Sequence, residues 1–595
     1  MPAHLRMNLH LPQFVATEEE IDRSPNTVRA IRRWQKGLSF INMGETTRVL
    51  FHTLKALNRQ PIPTRTRFEI METIRPSARI VLNHLAKHLA GATYPLTGKS
   101  LQIAKLAHSI LQEMAVGYKH VTYDYATHKD KVDRKIRLVA THRAMRYLQE
   151  AMARNAALYR TDPRSTWHDM HRLLGYAEHH KFHREEVEDE DYRTIRASTI
   201  EDVYKQACLL AMTQPLRLRR GEADKLRTYF ETACHLVEMK KSLSPDVNGM
   251  VHVVSLKSSE PPAYIPLADI TIFSNLRGFD MSRLISTLND ILQAAEEGEY
   301  QPGFSKIHLE PALIRRLITS WTTQEKRRFS RVATRRSIVA AVGLRNIIHA
   351  INADLHPELS KEEMFRRREA DTREVGEWDS ADPFNGTPGS PDESLSLDAA
   401  YHAEFLLGQA DDDTGEERLL EPPESWMDWQ VLNTGAGGYG LLWDQAQASN
   451  AQVGELIALR EKEYDLHHWR IGIIRWIRNR SEGELEAGVQ LIAPRTVVVS
   501  VETILNRSHE DVLPMDALML PGMKTINQPP SLLLPNHVAA VGDILEINML
   551  GRKLHIELKS IGEHPSFFTQ FFYRSTEVTE AVNSKEEFED LWGRL

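Results

Sequence analysis

The spacing of apolar residues changes partway along this chain, and that change limits the folds open to it. From about residue 17 to 240 the apolar positions recur every three or four residues, as in Ile80, Val81, Leu82, Leu85, Leu89 and again in Ile103, Leu106, Ile110, Leu111, Met114. This spacing predicts helix after helix, each with one buried stripe. Arg75-Pro76-Ser77 reads as the start of one of them. With no fixed-period repeat in the segment, a bundle or irregular helical array is the expectation.

Past residue 245 the pattern becomes mixed. Gly249 to Leu256 and Ala268 to Phe273 predict a pair of strands, and helices are predicted at 281–296 and 310–320. A strand follows at Ser337–Val342. Residues 353–428 then lose hydrophobic density: the run from Asp379 to Glu393 is rich in Pro, Gly and acid, and Asp411-Asp412-Asp413 follows. Such composition buries too little apolar surface to offset chain entropy, which predicts a disordered acidic insertion. From 429 to 500 short strands return at regular spacing (Val453–Leu459, Trp469–Ile477, Ala487–Ile492, Thr496–Val501), and this predicts a small antiparallel barrel. Residues 530–575 repeat the style as a further β module, and 584–595 read as a terminal helix.

The domain expectation is therefore a helical region at 1–245, a mixed connecting region at 246–324, a barrel with its insertion at 325–500, and a β module with terminal helix at 501–595. A chain of 595 residues supports several cores. Its net charge of −7 argues against DNA or RNA as a general partner, since phosphate binding needs a basic face. The 2 cysteines, Cys208 and Cys234, build neither a disulfide framework nor a zinc site. No signal-peptide h-region and no apolar run of membrane-spanning length is present, so the expectation is a cytoplasmic protein without membrane insertion.

Two features converge on the predicted barrel: Lys326-Arg327-Arg328-Phe329-Ser330-Arg331, just before the first strand, and Asn433-Thr434-Gly435-Ala436-Gly437-Gly438, at a strand–turn–strand junction. Arg327-x-x-x-Arg331, then Asn433-x-Gly435-x-x-Gly438, then Gly472-Ile473-Ile474-Arg475-Trp476, then Gly488-Val489-Gln490-Leu491 follow one another in the order found in PilZ domains, and over residues 325–352 and 428–500 the chain resembles that family. The resemblance implies a PilZ-like small β-barrel and cyclic di-GMP as the ligand, with Arg327 and Arg331 meeting its guanines or phosphates and Asn433, Gly435 and Gly438 forming the turn against it. Arg328 is a neighbouring candidate. The residue types suit that ligand, because an Arg fork reads guanine O6 and N7 or pairs with phosphate, and a glycine turn lets backbone N–H groups come close. One departure stands out: the family's Ser position is Gly435 here. Trp476 and Gly472 are read as barrel core and corner.

Other motifs fail on inspection. Thr97-Gly98-Lys99-Ser100 has the end of a phosphate loop, but Thr93 stands where its first glycine belongs. His179, His180 and His183 lack a third ligand at diagnostic spacing. Gly435–Gly440 is followed by no amphipathic helix, as a dinucleotide fingerprint requires. No nucleophile elbow, metal motif, kinase or cyclase signature occurs. The resulting expectation is a non-enzymatic cyclic di-GMP receptor without cofactor or metal, whose helical half binds a protein partner. The alternative is a degenerate PilZ-like scaffold that binds protein partners without nucleotide.

Overall fold

The computed structural model describes residues 7–14, 25–127, 133–189, 194–272, 275–297, 309–324, 331–355, 426–445, 447–461, 468–480, 483–504, 514–522, 529–549, 552–565 and 567–576. The acidic insertion and the terminal helix expected from the sequence lie outside these residues, as do Arg327 and Arg328. Two compact units emerge: of the described residues, the first holds those up to 324 apart from Thr93–Pro95, and the second holds those from Arg331 onward together with Thr93–Pro95.

In the first unit, helices α1 (Val28–Lys36), α2 (Met43–Leu57), α3 (Thr64–Leu89), α4 (Gly98–Thr127), α5 (Arg134–Ala157) and α6 (Arg164–His179) follow in succession. A short ribbon of β1 (Val187–Glu188) and β2 (Ala197–Ser198) precedes α7 (Ile200–Met212) and α8 (Glu222–Ala233). The spacing that predicts the helices is the spacing that is buried: Ile103, Leu106, Ile110, Leu111 and Met114 all enter one core. The helix start expected at Arg75-Pro76-Ser77 is corrected, because α3 runs straight through Pro76. An internal proline costs about 3 kcal/mol. Ile74, Val81, Leu82 and Leu85 are buried on both sides of it, and each returns roughly 1.5–3 kcal/mol, so packing overrides the break. Gly117 of α4 sits where a Cβ would strike the Met71 side chain of α3, which fixes a close helix crossing.

Helix α5 is buried on nearly every side, including at Arg143 and Arg146. Those charges are tolerable because Arg143 pairs with Asp189 at 2.7 Å and Arg146 lies 3.8 Å from Glu231. Helix α7 begins with a capping box, in which Thr199 and Asp202 bond each other's backbone N–H.

A four-stranded sheet follows, ordered β3–β6–β4–β5, from β3 (Glu238–Lys240), β4 (Met250–Ser255), β5 (Ala263–Pro266) and β6 (Leu276–Asp280). The strand expected at Ala268–Phe273 is instead a 3-10 helix over Leu267–Ile272, with Phe273 outside the described residues. The central strand β4 is already paired on both sides, by β5 and β6, the strands before and after that segment in the chain, and the segment forms the turn between them. Helices α9 (Ser282–Glu296) and α10 (Pro311–Thr322) complete the unit, close to where the sequence placed them.

The second unit holds two closed antiparallel barrels of six strands each. The first is ordered β10–β11–β12–β9–β8–β7, from β7 (Val332–Val342), β8 (Met427–Gly435), β9 (Gly438–Trp443), β10 (Leu456–Glu461), β11 (Arg470–Asn479) and β12 (Leu485–Ala493). Helix α11 (Leu344–Leu355) follows β7. The further β module is a second barrel, β13–β14–β15–β18–β17–β16, from β13 (Val497–Ile504), β14 (Met515–Leu520), β15 (Ser531–Leu534), β16 (Ile544–Met549), β17 (Arg552–Ile561) and β18 (Thr569–Ser575). Ile347, Ala350 and Ile351 of α11 share one core with Ile471 and Ile473 of the first barrel and with Leu518, Leu520 and Leu533 of the second, so α11 packs against both. The chain is thus a multidomain α+β protein: a helical N-terminal half followed by two small barrels.

Candidate functional site

The first barrel's interior takes alternate residues of each strand: Trp429 and Val431 of β8, Tyr439, Leu441 and Trp443 of β9, Leu485, Ala487 and Val489 of β12. The residues between them face outward. Directly opposed residues of an antiparallel pair share a face. One such row crosses five strands: Ala333 opposes Asn433, Asn433 opposes Gly440, Gly440 opposes Gly488, and Gly488 opposes Trp476.

Two glycines at the middle of that row leave a trough between a polar end and an aromatic end. At the polar end the Asn433 amide leans over Gly440, where a Cβ would stand 2.7–3.0 Å from the amide's own atoms. Arg331, exposed just before β7, donates from Nη1 to Asn433 Oδ1 at 3.2 Å. At the other end the indole of Trp476, half-buried, covers Gly488 so closely that a Cβ there would lie 2.0 Å from Nε1. Three strand spacings separate Asn433 from Trp476, or about 14 Å.

The turn expected between the strands is a hairpin with Ala436 and Gly437 at its tip, between Gly435 at the end of β8 and Gly438 at the start of β9. Gly438 has φ 152, and a Cβ there would meet the Val489 carbonyl oxygen at 1.9 Å. Only glycine fits, so β9 pairs closely with β12 beneath the turn. Gly438 opposes Gln490, whose Oε1 accepts from Arg475 Nε at 2.8 Å. Arg475 also pairs with Glu563 in the second barrel.

Irregular pairing explains this arrangement. Strands β7, β8 and β11 each carry a bulge beside the row: between Ala333 and Arg336, between Val431 and Asn433, and between Ile474 and Trp476. A bulge adds a residue and re-aims its neighbours. In β11 it turns Trp476 to the outer surface, which corrects the expectation that this residue lies in the core. Gly472 is buried, with a Cβ position 2.5 Å from Val489 Cγ1. Sequence reasoning missed the trough because it assumes strict alternation; the one available signal was the pair Gly440 and Gly488, small residues at outward positions beside an outward Trp.

Next to the row, Glu461 accepts two bonds from Arg336 at 3.0 Å each and pairs with Arg470. Partial burial would raise the Glu461 carboxyl, but the Arg470 bond and the two cationic charges outweigh it and hold it below its ordinary range. These arginines are committed to a structural ion pair, whereas Arg331 lies on the exposed rim.

Of the candidate residues, the structure brings Arg331, Asn433, Gly435 and Gly438 together; Arg327 and Arg328 are outside the described residues. The face offers a guanidinium, an amide, an open backbone floor and an indole. That is a set for a flat, anionic, hydrogen-bonding ligand.

Comparison with known proteins gives a consistent result. Residues 29–245 match the family model "Cyclic-di-GMP receptor FimW, N-terminal domain", residues 251–497 match "Cyclic-di-GMP receptor FimW, middle PilZ domain", and residues 500–576 match "FimW C-terminal beta-barrel domain". The chain is 23% identical over 620 aligned residues to "Cyclic-di-GMP receptor FimW" of Pseudomonas aeruginosa, an alignment that spans 100% of this chain and 99% of that protein. No solved structure matches the chain.

Proposed function

We propose that this chain, which belongs to the PilZ domain family, is a receptor for cyclic di-GMP that takes its ligand on the outer face of the first barrel. The observation that carries the reading is the bond between Arg331 and Asn433, which joins the segment before β7 to the motif turn at one end of the glycine-floored trough. Arg331 would pair with a phosphate or a guanine edge, together with Arg327 and, beside it, Arg328 from the same segment. Asn433 offers its amide to the base, and the turn from Gly435 to Gly438 admits the ligand against the backbone. Trp476 presents an indole face at the far end of the row, on which a purine can stack.

The receptor works without chemistry on its ligand. Contacts of the messenger with the segment that links α10 to β7 would let binding bias the helical half, which we take as the surface for a protein partner. Neither a cofactor nor a nucleic-acid partner enters this reading, which places the protein in the cytoplasm. Among the described residues no helix is long and apolar enough to cross a membrane. A second reading, a scaffold that has lost its ligand, is favoured by one feature, Gly435 in place of the motif's Ser.

Calorimetric titration of cyclic di-GMP into the wild type and into Arg327→Ala/Arg331→Ala tests the proposal. Saturable binding lost in the double variant is expected. A folded wild type that takes up no ligand would overturn the receptor reading in favour of the scaffold.

A further inference from the structure

A second cluster, in the helical half and unrelated to the barrel, joins three donors that are distant in sequence. His10 lies on the N-terminal segment, whose Met7 and Leu9 are buried in the helical core. His168 and Asp169 are neighbours on α6. The ring nitrogens and a carboxylate oxygen of these three residues lie within 4.8 Å of one another. The rings of His10 and His168 meet edge to face, with centroids 4.8 Å apart.

The hydrogen bonding at Asp169 is over-subscribed. Its Oδ1 faces His10 Nδ1 at 2.9 Å, His10 N at 3.1 Å and His168 Nδ1 at 3.2 Å. An sp² oxygen has two lone pairs, so three nitrogens around it exceed what it can accept. The other oxygen, Oδ2, is held by Lys119 Nζ at 2.8 Å, and the same ammonium donates to the His10 carbonyl at 2.8 Å. Lys119 is therefore the kind of outer partner that orients a ligating carboxylate while leaving its second oxygen for the metal. One side of the cluster is open: the His10 side chain is 56% exposed and that of His168 14%, against 2% for Asp169.

We propose that His10, His168 and Asp169 form a site for a divalent transition cation of the zinc class. Two imidazoles and one carboxylate are the donors such an ion takes, at about 2.0–2.2 Å each, with water completing the shell on the exposed side. A cation here accepts lone pairs from both Nδ1 atoms, so the rings no longer compete to donate to Oδ1; the His168 proton then sits on Nε2, and the long contact that Nε2 accepts from Arg172 Nε at 3.4 Å gives way. The bound ion staples the N-terminal segment to α6, and through Lys119 to α4. Two other histidine groups are poorer sites. His84 and His88 place their Nε2 atoms 3.0 Å apart on α3, but among the described residues no carboxylate joins them, and His183 lies 3.7 Å from a Glu201 oxygen that Arg184 already holds at 2.8 Å.

The test strips the full-length protein with a chelator and titrates it with Co²⁺, read by its visible absorption, then with Zn²⁺ as competitor. One saturable equivalent is expected, displaced by Zn²⁺, and weakened about tenfold or more in both His10→Ala and His168→Ala. His84→Ala serves as the control and should leave the titration unchanged. His10 is half exposed, so its variant keeps the fold, which far-UV circular dichroism checks; should His168→Ala unfold, His10→Ala alone decides. No saturable binding by the wild type, an affinity retained in folded His10→Ala, or a signal that follows His84 would overturn the proposal.

Discussion

Gly440 offers a way to weaken the proposed cyclic di-GMP site through the Asn433 amide, leaving the motif's charged and polar side chains in place. A methyl group at this position meets the Asn433 Nδ2, Oδ1 and Cγ atoms at 2.7–3.0 Å, and the side-chain amide must swing away. Asn433 then loses its grip on Arg331, whose Nη1 donates to it at 3.2 Å. A hydrogen bond to a charged group contributes roughly 1.5–3 kcal/mol, so cyclic di-GMP affinity should fall about 10- to 150-fold in Gly440→Ala. Stability should change by no more than about 1 kcal/mol, because the displaced atoms end a mobile side chain and glycine is itself costly within a strand. Gly438→Ala is the contrast. Its Cβ would lie 1.9 Å from a backbone carbonyl at φ 152, where nothing can yield, and barrel stability should drop by about 3 kcal/mol. Calorimetry gives the affinities and urea unfolding the stabilities. The decisive variant is Asn433→Ala/Gly440→Ala. If Gly440 acts through the amide, the double variant binds no more weakly than Asn433→Ala alone. Additive losses, or full affinity in Gly440→Ala, would refute the reasoning.

Gly435→Ser, which restores the motif hydroxyl, should tighten cyclic di-GMP binding by about 0.5–1.5 kcal/mol, or roughly 2- to 12-fold; unchanged affinity in a folded variant would mean that the backbone already supplies that bond. Glu455 is buried, and burial pushes its carboxyl up to about 7 from 4.5, opposed by the Leu456 N–H. Its contribution to stability is fully present below pH 4.5 and is lost as pH rises through about 7, a difference of 2.5 units, or about 3 kcal/mol. Glu455→Gln should therefore gain urea resistance over the wild type at pH 8 and lose that advantage at pH 4.5. An equal gain at both values would show that the carboxyl does not titrate as argued.

The sequence spoke most clearly where one periodicity governed a whole segment. Helix α4 and strand β13 were legible as elements because Ile103 to Met114 and Val497 to Val501 each keep one buried face, but the strand expected at Thr496–Val501 belongs to the second barrel and not, as its spacing suggested, to the first. It spoke falsely at Pro76, where local chemistry argues for a break and the buried stripe on both sides wins, and at Ala268–Phe273, where a β-like run forms a 3-10 turn between β5 and β6 over Leu267–Ile272. The expectation of one buried stripe per helix understates α5, whose Arg143 and Arg146 are buried against Asp189 and Glu231, partners that are not on that helix. At the site, the motif residues Arg331, Asn433, Gly435 and Gly438 could be named from their order alone. The trough they border could not, since bulges in β7, β8 and β11 set its residues side by side. The His10–His168–Asp169 cluster was hidden for a related reason: a gap of 158 residues carries no spacing to recognise.

Strand order in the first barrel also dictates how it assembles. Strands β8 to β12 are joined by connections of moderate length, but β7 and β8, paired from Val332 with Thr434 to Ala340 with Met427, stand on either side of the acidic segment in sequence. Loop-closure entropy grows as the logarithm of length, so closing that loop costs about 3 kcal/mol more than a tight hairpin. The five remaining strands can form a sheet first, with β7 the late strand that seals both edges against β8 and β10. Arg331 arrives with the sealing strand. A nascent or partly opened barrel therefore lacks this arginine, and a ligand held by Arg331 would stabilise the sealed barrel over the open one.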